Sequence, residues 1–402
     1  MKKILFVIHR LHAGGAEKSL VSLLNSLPTD TYDVDLISMD FSGMFCSQIP
    51  SYVKLIEAPK ELICQYESIR RKRFWYKANF KILIVKIYCI LFNFFFGKKC
   101  RKEKSHIQLY NEVWRRFIPD SPKEYDVAIS YIDGLNYYVI DHVRASRKIL
   151  WCHNDYNKLD LVPTYDYNYY EKAYKICTIS ELCRKSLIDN FPKLQKKIEV
   201  IENISSPKLI LAQSENLKEM ENTKDCFIED SRFKIVSIGR LTEQKGFDIA
   251  IEAAKDLKTK GCIFCWYIIG DGPLSKNLKL LISENGVDDC VKLLGIRTNP
   301  YSYIYKSDLY VMPSRYEGKS IALDEAKILC KPIVVTNYPS VGDAIENNKN
   351  GLIVDINPQS IAEGILKLYN DVNLRRSFVQ NLKVDSRDNT KNVVDKFMNL
   401  LK

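Results

Sequence analysis

The sequence predicts an α/β protein made of two similar halves, each built on a parallel sheet. Short, continuous apolar runs alternate with helix-like runs along almost all of the 402 residues. Such runs are typical of strands buried on both faces, as in parallel sheets covered by helices. A polar, acid-rich stretch without strand signal, residues 205–231, lies between the halves and is expected to be a linker. We therefore expect one domain over residues 1–204 and another over 232–382.

The elements follow in chain order. Helices are expected near the C-terminus over Ile361–Tyr369, Leu374–Leu382 and Val393–Leu401, the last within a C-terminal segment, residues 383–402. Twelve strands are predicted, six in each half: Ile4–Ile8, Val34–Ser38, Val127–Tyr131, Ile149–His153, Ile176–Ile179, Ile198–Ile201, Lys234–Ile238, Phe264–Ile269, Val291–Leu294, Leu309–Met312, Ile333–Thr336 and Leu352–Val354.

The composition excludes several classes of protein. A hydrophobic fraction of 46% excludes disorder, and 16 Gly with 14 Pro exclude a collagen-like chain. The 12 cysteines are dilute and mostly lie in apolar runs, so we expect reduced, buried thiols rather than a disulfide framework. The apolar run before His9, Ile4–Ile8, has only five residues, too few for the core of a signal peptide, and it is expected to form the first strand.

The positive charge is concentrated in residues 69–104. This segment holds twelve of the 60 Lys and Arg but only one acid, and it therefore accounts for the whole formal net charge of +11. Its apolar run, Ile82–Phe96, would span about 22 Å as a helix, short of the roughly 30 Å of a bilayer core. Asn79, Lys86 and Asn93 mark one polar stripe. We expect the segment to dock on an anionic membrane surface without spanning it. A buried core helix with solvated flanks is the alternative, and nine interleaved aromatics make nucleic-acid binding the poorer use of the charge.

A glycine pair, Gly14 and Gly15, lies between the first strand and a helix marked by Leu20, Leu23, Leu24 and Leu27. Glycine lets a ligand approach the backbone there, and free N–H groups at a helix start favour an anion. A simple strand-to-helix turn explains the pair equally well.

Two basic residues follow the first strand of the second half. Arg240 comes at the carboxyl end of that strand, where α/β proteins bind ligands, and Lys245 directly precedes a helix. Two cations at this edge suit a diphosphate through charge-assisted hydrogen bonds. Taken alone, the two residues fit solvated side chains on a loop better than a ligand site.

Seven residues separate two acids, Glu317 and Glu325, and Glu325 lies on a helix that is expected to begin near Ser320. Glu325 falls on the apolar face of that helix, where a carboxylate is costly unless it is hydrogen-bonded. A structural salt bridge or a ligand diol such as a ribose would satisfy it. The sole DxD, Asp33-Val-Asp35, alternates within a strand, which argues against a metal–diphosphate site. Gly270-Asp-Gly-Pro lacks the third glycine of a dinucleotide fingerprint.

These motifs together resemble the retaining glycosyltransferases of family 4, which have the GT-B fold, of the kind that build bacterial capsule, exopolysaccharide and lipopolysaccharide. The resemblance runs from Lys3 to about Leu382. It implies two Rossmann-like domains with parallel sheets facing across a cleft, the first binding the acceptor and the second a nucleotide sugar, and a final helix packing back on the first domain.

The resemblance also implies roles for individual residues. Arg240 and Lys245 would stabilise the departing diphosphate, Glu317 would contact the donor sugar, and Glu325 would bind the ribose. The further residues implied in substrate contacts are Gly14, Gly15, Gly318, Lys319, Ser320 and His153, the last of these lining the acceptor side as a catalytic-site residue. Lys319 replaces the apolar or aromatic residue common in the family at that position.

The resemblance implies a metal-independent transfer from a nucleotide sugar, most readily a UDP-sugar, to a glycan acceptor. This acceptor is expected to be lipid-linked, and neither a cofactor nor a nucleic-acid partner is expected. The expected location is cytoplasmic, on the inner face of the cell membrane. Two alternatives stay open: a catalytically degenerate membrane-bound scaffold and a GT-B nucleotide-sugar epimerase.

Overall fold

A computed structural model describes the chain except for residues 13, 101–103, 218–219, 222–226 and 386–387, and within helices it leaves the side chains of residues 95–100, 209 and 384–385 undescribed. The chain divides into two compact units. Unit 1 comprises Met1–His12, Ala16–Asn203 and Asn392–Lys402, and unit 2 comprises Ala13–Gly15 and Ile204–Lys391.

Unit 1 is built on a parallel sheet. In the part of the chain that is described, this sheet has seven strands in the order β3-β2-β1-β4-β5-β6-β7. Its strands are β1 (Lys2–Arg10), β2 (Tyr32–Asp40), β3 (Val53–Glu57), β4 (Glu124–Ser130), β5 (Arg144–Cys152), β6 (Lys175–Thr178) and β7 (Ile198–Val200). Its helices are α1 (Gly15–Ser26), α2 (Lys60–Tyr66), α3 (Lys72–Lys77), α4 (Phe80–Cys100), α5 (His106–Trp114), α6 (Asn136–His142), α7 (Pro163–Tyr170) and α8 (Glu181–Asn190).

Unit 2 repeats the same plan. Its described residues form a six-stranded parallel sheet in the order β10-β9-β8-β11-β12-β13. The strands are β8 (Phe233–Ile238), β9 (Phe264–Ile269), β10 (Val291–Gly295), β11 (Leu309–Met312), β12 (Ile333–Thr336) and β13 (Leu352–Val354). The helices that follow α8 in the chain are α9 (Pro207–Ser214), α10 (Phe247–Thr259), α11 (Ser275–Glu284), α12 (Pro300–Lys306), α13 (Ile321–Ile328), α14 (Pro358–Asn370), α15 (Val372–Asp385) and α16 (Thr390–Leu401).

The α/β prediction is confirmed: both units are Rossmann-like, with the parallel sheets expected from the apolar runs. All twelve predicted strands are present, and β3 is an additional one. Only Val53 of β3 is buried, so this edge strand shows no continuous apolar run that could have marked it.

The last helix, α16, belongs to unit 1 although it follows unit 2 in the chain. Its Phe397 ring stacks on Phe6 at a centroid distance of 5.9 Å and lies 6.1 Å from the ring of Trp151. The apolar face of this amphipathic helix therefore completes the core of unit 1.

Residues 205–231 do more than join the two halves. They contain α9, and they contribute the buried side chains of Ile210, Met220 and Phe227 to the core of unit 2. The stretch is mostly polar, so the sequence did not indicate that its isolated apolar residues are buried.

The basic segment, residues 69–104, contains α3 and α4. One face of α4 is buried in unit 1, and it includes Lys86, whose Nζ donates to the carbonyls of Cys64 and Gln65 at 3.0 and 2.9 Å. Lys86 thus caps helix α2 from within the core and is not part of an exposed polar stripe. No helix in the described residues combines the length and the apolar character that a membrane crossing requires. Residues 101–103 lie outside the described part of the chain.

Candidate active site

Three chain segments meet at the carboxyl edge of the sheet of unit 2. β8 leads into Gly239 and Arg240, a short 3₁₀ turn, Glu243–Lys245, precedes α10, and the loop after β11 carries Glu317. The turn ends at Gly246, whose φ of +64° lies in the left-handed region. A Cβ atom there would lie 2.0 Å from the carbonyl oxygen of Pro313. Only glycine therefore lets the turn approach the β11 loop so closely.

Lys245 and Glu317 form an ion pair. Lys245 Nζ donates to Glu317 Oε1 at 2.6 Å, and Ser314 Oγ donates to the same oxygen at 2.7 Å. The backbone carbonyl of Glu317 accepts from Ser340 Oγ at 2.9 Å. Glu317 is only 8% exposed, so the hydrogen bonds from Lys245 and Ser314 are needed to offset the cost of burying its charged carboxylate.

Arg240 differs from Lys245 because its side chain is exposed. Among the described residues its guanidinium has no hydrogen-bond or ion-pair partner. The backbone that carries it is fixed from behind by the loop that follows β9. Gly239 N donates to Ile269 O at 3.0 Å, and Leu241 N donates to Asp271 O at 3.0 Å. Arg240 is thus a free cation on a rigid support, available to an anionic ligand.

The Gly270-Asp-Gly-Pro motif has a structural role in this support. Gly270 has a φ of +143°, and a Cβ atom there would lie 1.9 Å from the carbonyl oxygen of Gly239. A Cβ atom at Gly272 would lie 2.5 Å from the carbonyl oxygen of Leu241. The two glycines allow the β9 loop to pack against the backbone on either side of Arg240.

A second ion pair, which the sequence did not reveal, clamps the turn that carries Lys245. Arg315 donates from its two terminal nitrogens to the two carboxylate oxygens of Asp248, at 2.8 and 2.6 Å, and also to the carbonyl of Glu243 at 2.8 Å. Gln244 Nε2 donates to Tyr316 O at 3.0 Å. Burial opposes ionisation of the Asp248 carboxyl, but the hydrogen bond and charge of Arg315, together with backbone N–H donors, lower its pKa overall. Arg315 directly follows Ser314, but no local sequence pattern predicts that it pairs with Asp248.

Glu325 lies on α13, as its spacing predicted. The helix begins after Ser320, whose side chain caps it by accepting from Leu323 N at 3.4 Å. Glu325 is 3% exposed, and Tyr301 OH lies 3.5 Å from its Oε1. Gly318 and Lys319 lie in the loop directly before the helix, beside its N-terminal amides. The N-terminus of α13, the positive end of its dipole, thus directly follows the loop that carries Glu317.

The remaining predicted residues belong to the first half of the chain. Gly15 is the first residue of α1, and Gly14 precedes it. His153 directly follows β5, and its ring stacks on Trp151 at 5.9 Å and an interplanar angle of 11°. Burial lowers the pKa of His153 to about 3, so the imidazole is neutral at physiological pH. Asp35 of the DxD is a structural residue, since its Oδ2 accepts from Lys123 Nζ at 2.7 Å and from Tyr125 OH at 2.8 Å.

In the described part of the chain, no three His, Cys, Asp or Glu side chains are grouped so that they could hold a metal ion. Arg240 and Lys245 are two of the basic residues at this edge of the second sheet.

Comparison with known families gives this edge a context. Residues 218–385 match the family model described as "Glycosyl transferases group 1". The matched stretch lies in unit 2 and includes Arg240, Lys245, Glu317 and Glu325.

Two relatives illustrate the similarity. Over 144 residues the chain is 35% identical to the amylovoran biosynthesis glycosyltransferase AmsK of Erwinia amylovora, covering 34% of this chain and 35% of that protein. Over 223 residues it is 29% identical to N-acetylgalactosamine-N,N'-diacetylbacillosaminyl-diphospho-undecaprenol 4-alpha-N-acetylgalactosaminyltransferase of Campylobacter jejuni, covering 54% of this chain and 57% of that protein. The matches thus span less than two thirds of either relative.

The solved structure of Anabaena Alr3699/HepE in complex with UDP-glucose is similar over the whole length. Its TM-score is 0.70 at 16% identity, covering 100% of this chain and 99% of that chain. The chain therefore has the GT-B fold.

Proposed function

We propose that the protein is a retaining glycosyltransferase of family 4 that transfers a sugar from a nucleotide-diphosphate sugar to a glycan acceptor in cell-surface polysaccharide biosynthesis. The observation that carries this proposal is the convergence of Arg240, Lys245 and Glu317 at the carboxyl edge of the group 1 domain, with Lys245 Nζ 2.6 Å from Glu317 Oε1. The donor carries negative charge on its diphosphate and none on its sugar. It therefore suits a site that offers one free cation, Arg240, and one cation paired to a carboxylate, Lys245 with Glu317.

In the proposed reaction, Arg240 and Lys245 bind the donor diphosphate. The anomeric C–O bond to the phosphate breaks, and its electron pair goes to the diphosphate, where the two cations and the N-terminus of α13 stabilise the growing charge. The acceptor hydroxyl attacks the anomeric carbon from the same face, and its proton passes to the departing phosphate oxygen. This front-face substitution retains the anomeric configuration and needs no bound metal.

The other residues are assigned to the binding of the two substrates. Glu325 accepts hydrogen bonds from the ribose hydroxyls, and Glu317 contacts the transferred sugar. Gly14 and Gly15 let the backbone approach the diphosphate, and His153 serves the acceptor. Lys319 supplies a further cation beside the donor, which makes the choice of sugar specific to this chain.

The donor and acceptor classes are proposed from the relatives. UDP-glucose in the Anabaena structure supports a UDP-sugar donor. The diphospho-undecaprenol in the name of the Campylobacter enzyme supports a lipid-linked acceptor, and amylovoran in the name of the Erwinia protein supports a polysaccharide product.

A thermal-shift screen tests the donor assignment. With UDP-, GDP- and ADP-sugars at equal concentration and EDTA present throughout, we expect the UDP-sugars to raise the Tm most. Binding at a hundredfold excess over Kd stabilises the folded state by about 2.7 kcal/mol. Stabilisation that appears only after Mg²⁺ or Mn²⁺ is added would contradict the metal-independent site. No stabilisation by any nucleotide sugar would favour the scaffold alternative.

We further propose that unit 1 docks on an anionic membrane through α3 and α4, on the cytoplasmic side where nucleotide sugars are made. Over residues 80–94, the exposed apolar residues of α4 recur at helical spacing and form one face, with Lys81 as the exposed charge of this stretch. These residues are Phe80, Ile84, Ile87, Tyr88, Leu91 and Phe94, and Trp75 and Tyr76 of α3 are also exposed. An exposed apolar patch of this kind marks an interaction surface.

The charges beside this face favour a lipid surface over a protein partner. Arg70, Lys72 and Lys81 are exposed, and each would contribute about 1 kcal/mol of attraction to an anionic membrane. Not all of the basic segment is available, since Arg73 pairs with Asp40 and Lys77 Nζ pairs with Glu57 at 2.8 Å. Much of the docking energy must therefore come from the apolar face.

Liposome flotation tests the docking. We expect the protein to float with anionic vesicles and stay in solution with neutral ones. The double substitution Phe80→Ser with Leu91→Ser should lower the floated fraction at least tenfold. Ile263→Ser with Leu280→Ser, which removes two exposed apolar side chains of unit 2, is the matched control. Equal flotation of both double variants would reject the assignment of the surface to α4.

A further inference from the structure

The loop that follows β11 holds Lys245 at both ends of its side chain. Glu317 of this loop accepts a hydrogen bond from the ammonium group at 2.6 Å. Arg315 of the same loop binds the short turn from which Lys245 projects. Its guanidinium donates to the carbonyl of Glu243 at 2.8 Å and to both carboxylate oxygens of Asp248, at 2.8 and 2.6 Å. Residues on either side of Lys245 in the chain are therefore fixed to the loop that binds its ammonium group.

The Arg315–Asp248 pair fixes the direction of the turn more than it stabilises the fold. Its side chains are 30% and 38% exposed, and ion pairs as exposed as this contribute little to the free energy of unfolding. The turn and the loop are also joined without the pair, since Arg315 N donates to Gln244 O at 2.7 Å and Gln244 Nε2 donates to Tyr316 O at 3.0 Å. A bidentate arginine–carboxylate pair adds a defined orientation, which single hydrogen bonds do not supply.

Lys245 requires such support because its side chain is long and flexible. An ammonium group has three donors, and Glu317 accepts from one of them, which leaves two for a diphosphate. These donors stabilise a departing phosphate only if they already point at it when the bond breaks. A displacement of about 1 Å, even one caused far from the reacting atoms, can lower the rate about 10²-fold.

We propose that Arg315 and Asp248 are positioning residues for sugar transfer, which hold the turn of Lys245 so that its ammonium group meets the departing diphosphate. This inference rests on the proposed function and adds to it two residues that act on the donor only through Lys245. No sequence motif marked either residue, because Asp248 lies in the first turn of α10 and Arg315 follows it by 67 positions, in the loop after β11.

Single substitutions give the first test. Arg315→Ala and Asp248→Ala should each lower kcat about 10–100-fold, and by equal factors. The double variant should be no slower than either single variant, because both substitutions remove the same interaction. The KM for the donor should change little, since the proposed contacts of Arg240 and Glu325 with it remain. Arg315→Lys keeps the charge but not the bidentate geometry, so it should regain only part of the rate.

Coupling to Lys245 distinguishes positioning from a general loss of structure. In a Lys245→Ala protein, the additional Arg315→Ala substitution should leave kcat unchanged, since no ammonium group remains to be positioned. In an Arg240→Ala protein, the same substitution should still lower kcat about 10–100-fold. A structural defect would lower kcat in both backgrounds.

Arg232 provides the matched control in the same unit. Its guanidinium donates to both carboxylate oxygens of Asp230, at 2.9 and 2.7 Å, and to the carbonyl of Asp289 at 2.9 Å. Arg232 directly precedes β8, so this pair lies at the opposite edge of the sheet from Lys245. Arg232→Ala should leave kcat unchanged. It should lower Tm at least as much as Arg315→Ala does, because its carboxylate partner is more deeply buried than Asp248.

Normal kcat in either single variant, or the same further loss in the Lys245→Ala and Arg240→Ala backgrounds, would overturn the inference. If Arg315→Ala were inactive and Asp248→Ala normal, Arg315 would contact the substrate itself instead of positioning Lys245. Sugar transfer by the unsubstituted protein tests the proposed function separately. Its absence with every UDP-, GDP- and ADP-sugar would contradict the proposed function and this inference together, whereas active variants without coupling would contradict this inference alone.

Discussion

Replacing either Arg240 or Lys245 with alanine is expected to lower the rate of sugar transfer about 10²–10³-fold. Both cations are proposed to stabilise the charge that forms on the departing diphosphate, and such groups act mainly on the transition state. The measurement is kcat at saturating donor and acceptor. Lys258→Ala is a suitable control, because it removes a lysine of unit 2 whose partner, Asp289, lies at an exposed surface 2.7 Å away.

The two variants should differ in stability. Arg240 is exposed and unpaired among the described residues, so its loss should leave Tm almost unchanged. Loss of Lys245 leaves the buried carboxylate of Glu317 with Ser314 Oγ as its side-chain donor and should lower the free energy of unfolding by about 1–3 kcal/mol. The double variant Lys245→Met with Glu317→Gln removes both charges. It should recover most of that stability but none of the activity.

These differences make the prediction specific. A folded Arg240→Ala protein with normal turnover would refute the role of Arg240 in leaving-group departure. If the Lys245→Met, Glu317→Gln protein regained activity together with stability, Lys245 would have only a structural role.

The strands of both sheets could be predicted because a strand buried on both faces is apolar at consecutive positions in the sequence. A strand such as Phe264–Ile269, with every residue buried, appears as an uninterrupted apolar run. β3 has no such apolar run because it is an edge strand whose residues are mostly exposed. The same reasoning misjudged Lys86, because a lysine in an apolar helix suggests a polar stripe. In the structure this lysine is buried in the core, where its Nζ donates hydrogen bonds to two carbonyls at the end of α2.

The candidate site could be predicted in part. Arg240 and Glu317 lie at the ends of predicted parallel strands, which placed them at one edge of the sheet. The pairing of Lys245 with Glu317, 72 residues apart, and the clamp between Arg315 and Asp248 depend on loop conformation, which side-chain periodicity does not encode.

The two acids of unit 2 should fail at different steps of the reaction. Glu325 is proposed to bind the ribose, so Glu325→Gln should raise the Kd for UDP about 10–100-fold, the cost of a hydrogen bond to a charged group. With saturating donor, kcat should stay within a few fold of the original. Glu317 is proposed to face the transferred sugar and to position Lys245. Glu317→Gln should therefore lower kcat about 10²-fold while the Kd for UDP changes little.

Calorimetry with UDP and initial-rate kinetics with the UDP-sugar separate the two steps. Glu346→Gln serves as the control, since this acid is exposed and its carboxylate pairs with Lys349 of the same loop at 2.8 Å. At saturation, kcat is insensitive to a group that binds the ground state and the transition state equally. Glu325→Gln should therefore change mainly the Kd for UDP, and Glu317→Gln mainly kcat. If Glu325→Gln lowered kcat and left UDP binding intact, the ribose assignment would be wrong. If Glu317→Gln weakened UDP binding as strongly as Glu325→Gln did, its carboxylate would act on the nucleotide through Lys245, and the contact with the transferred sugar would have to be given to another residue of the loop.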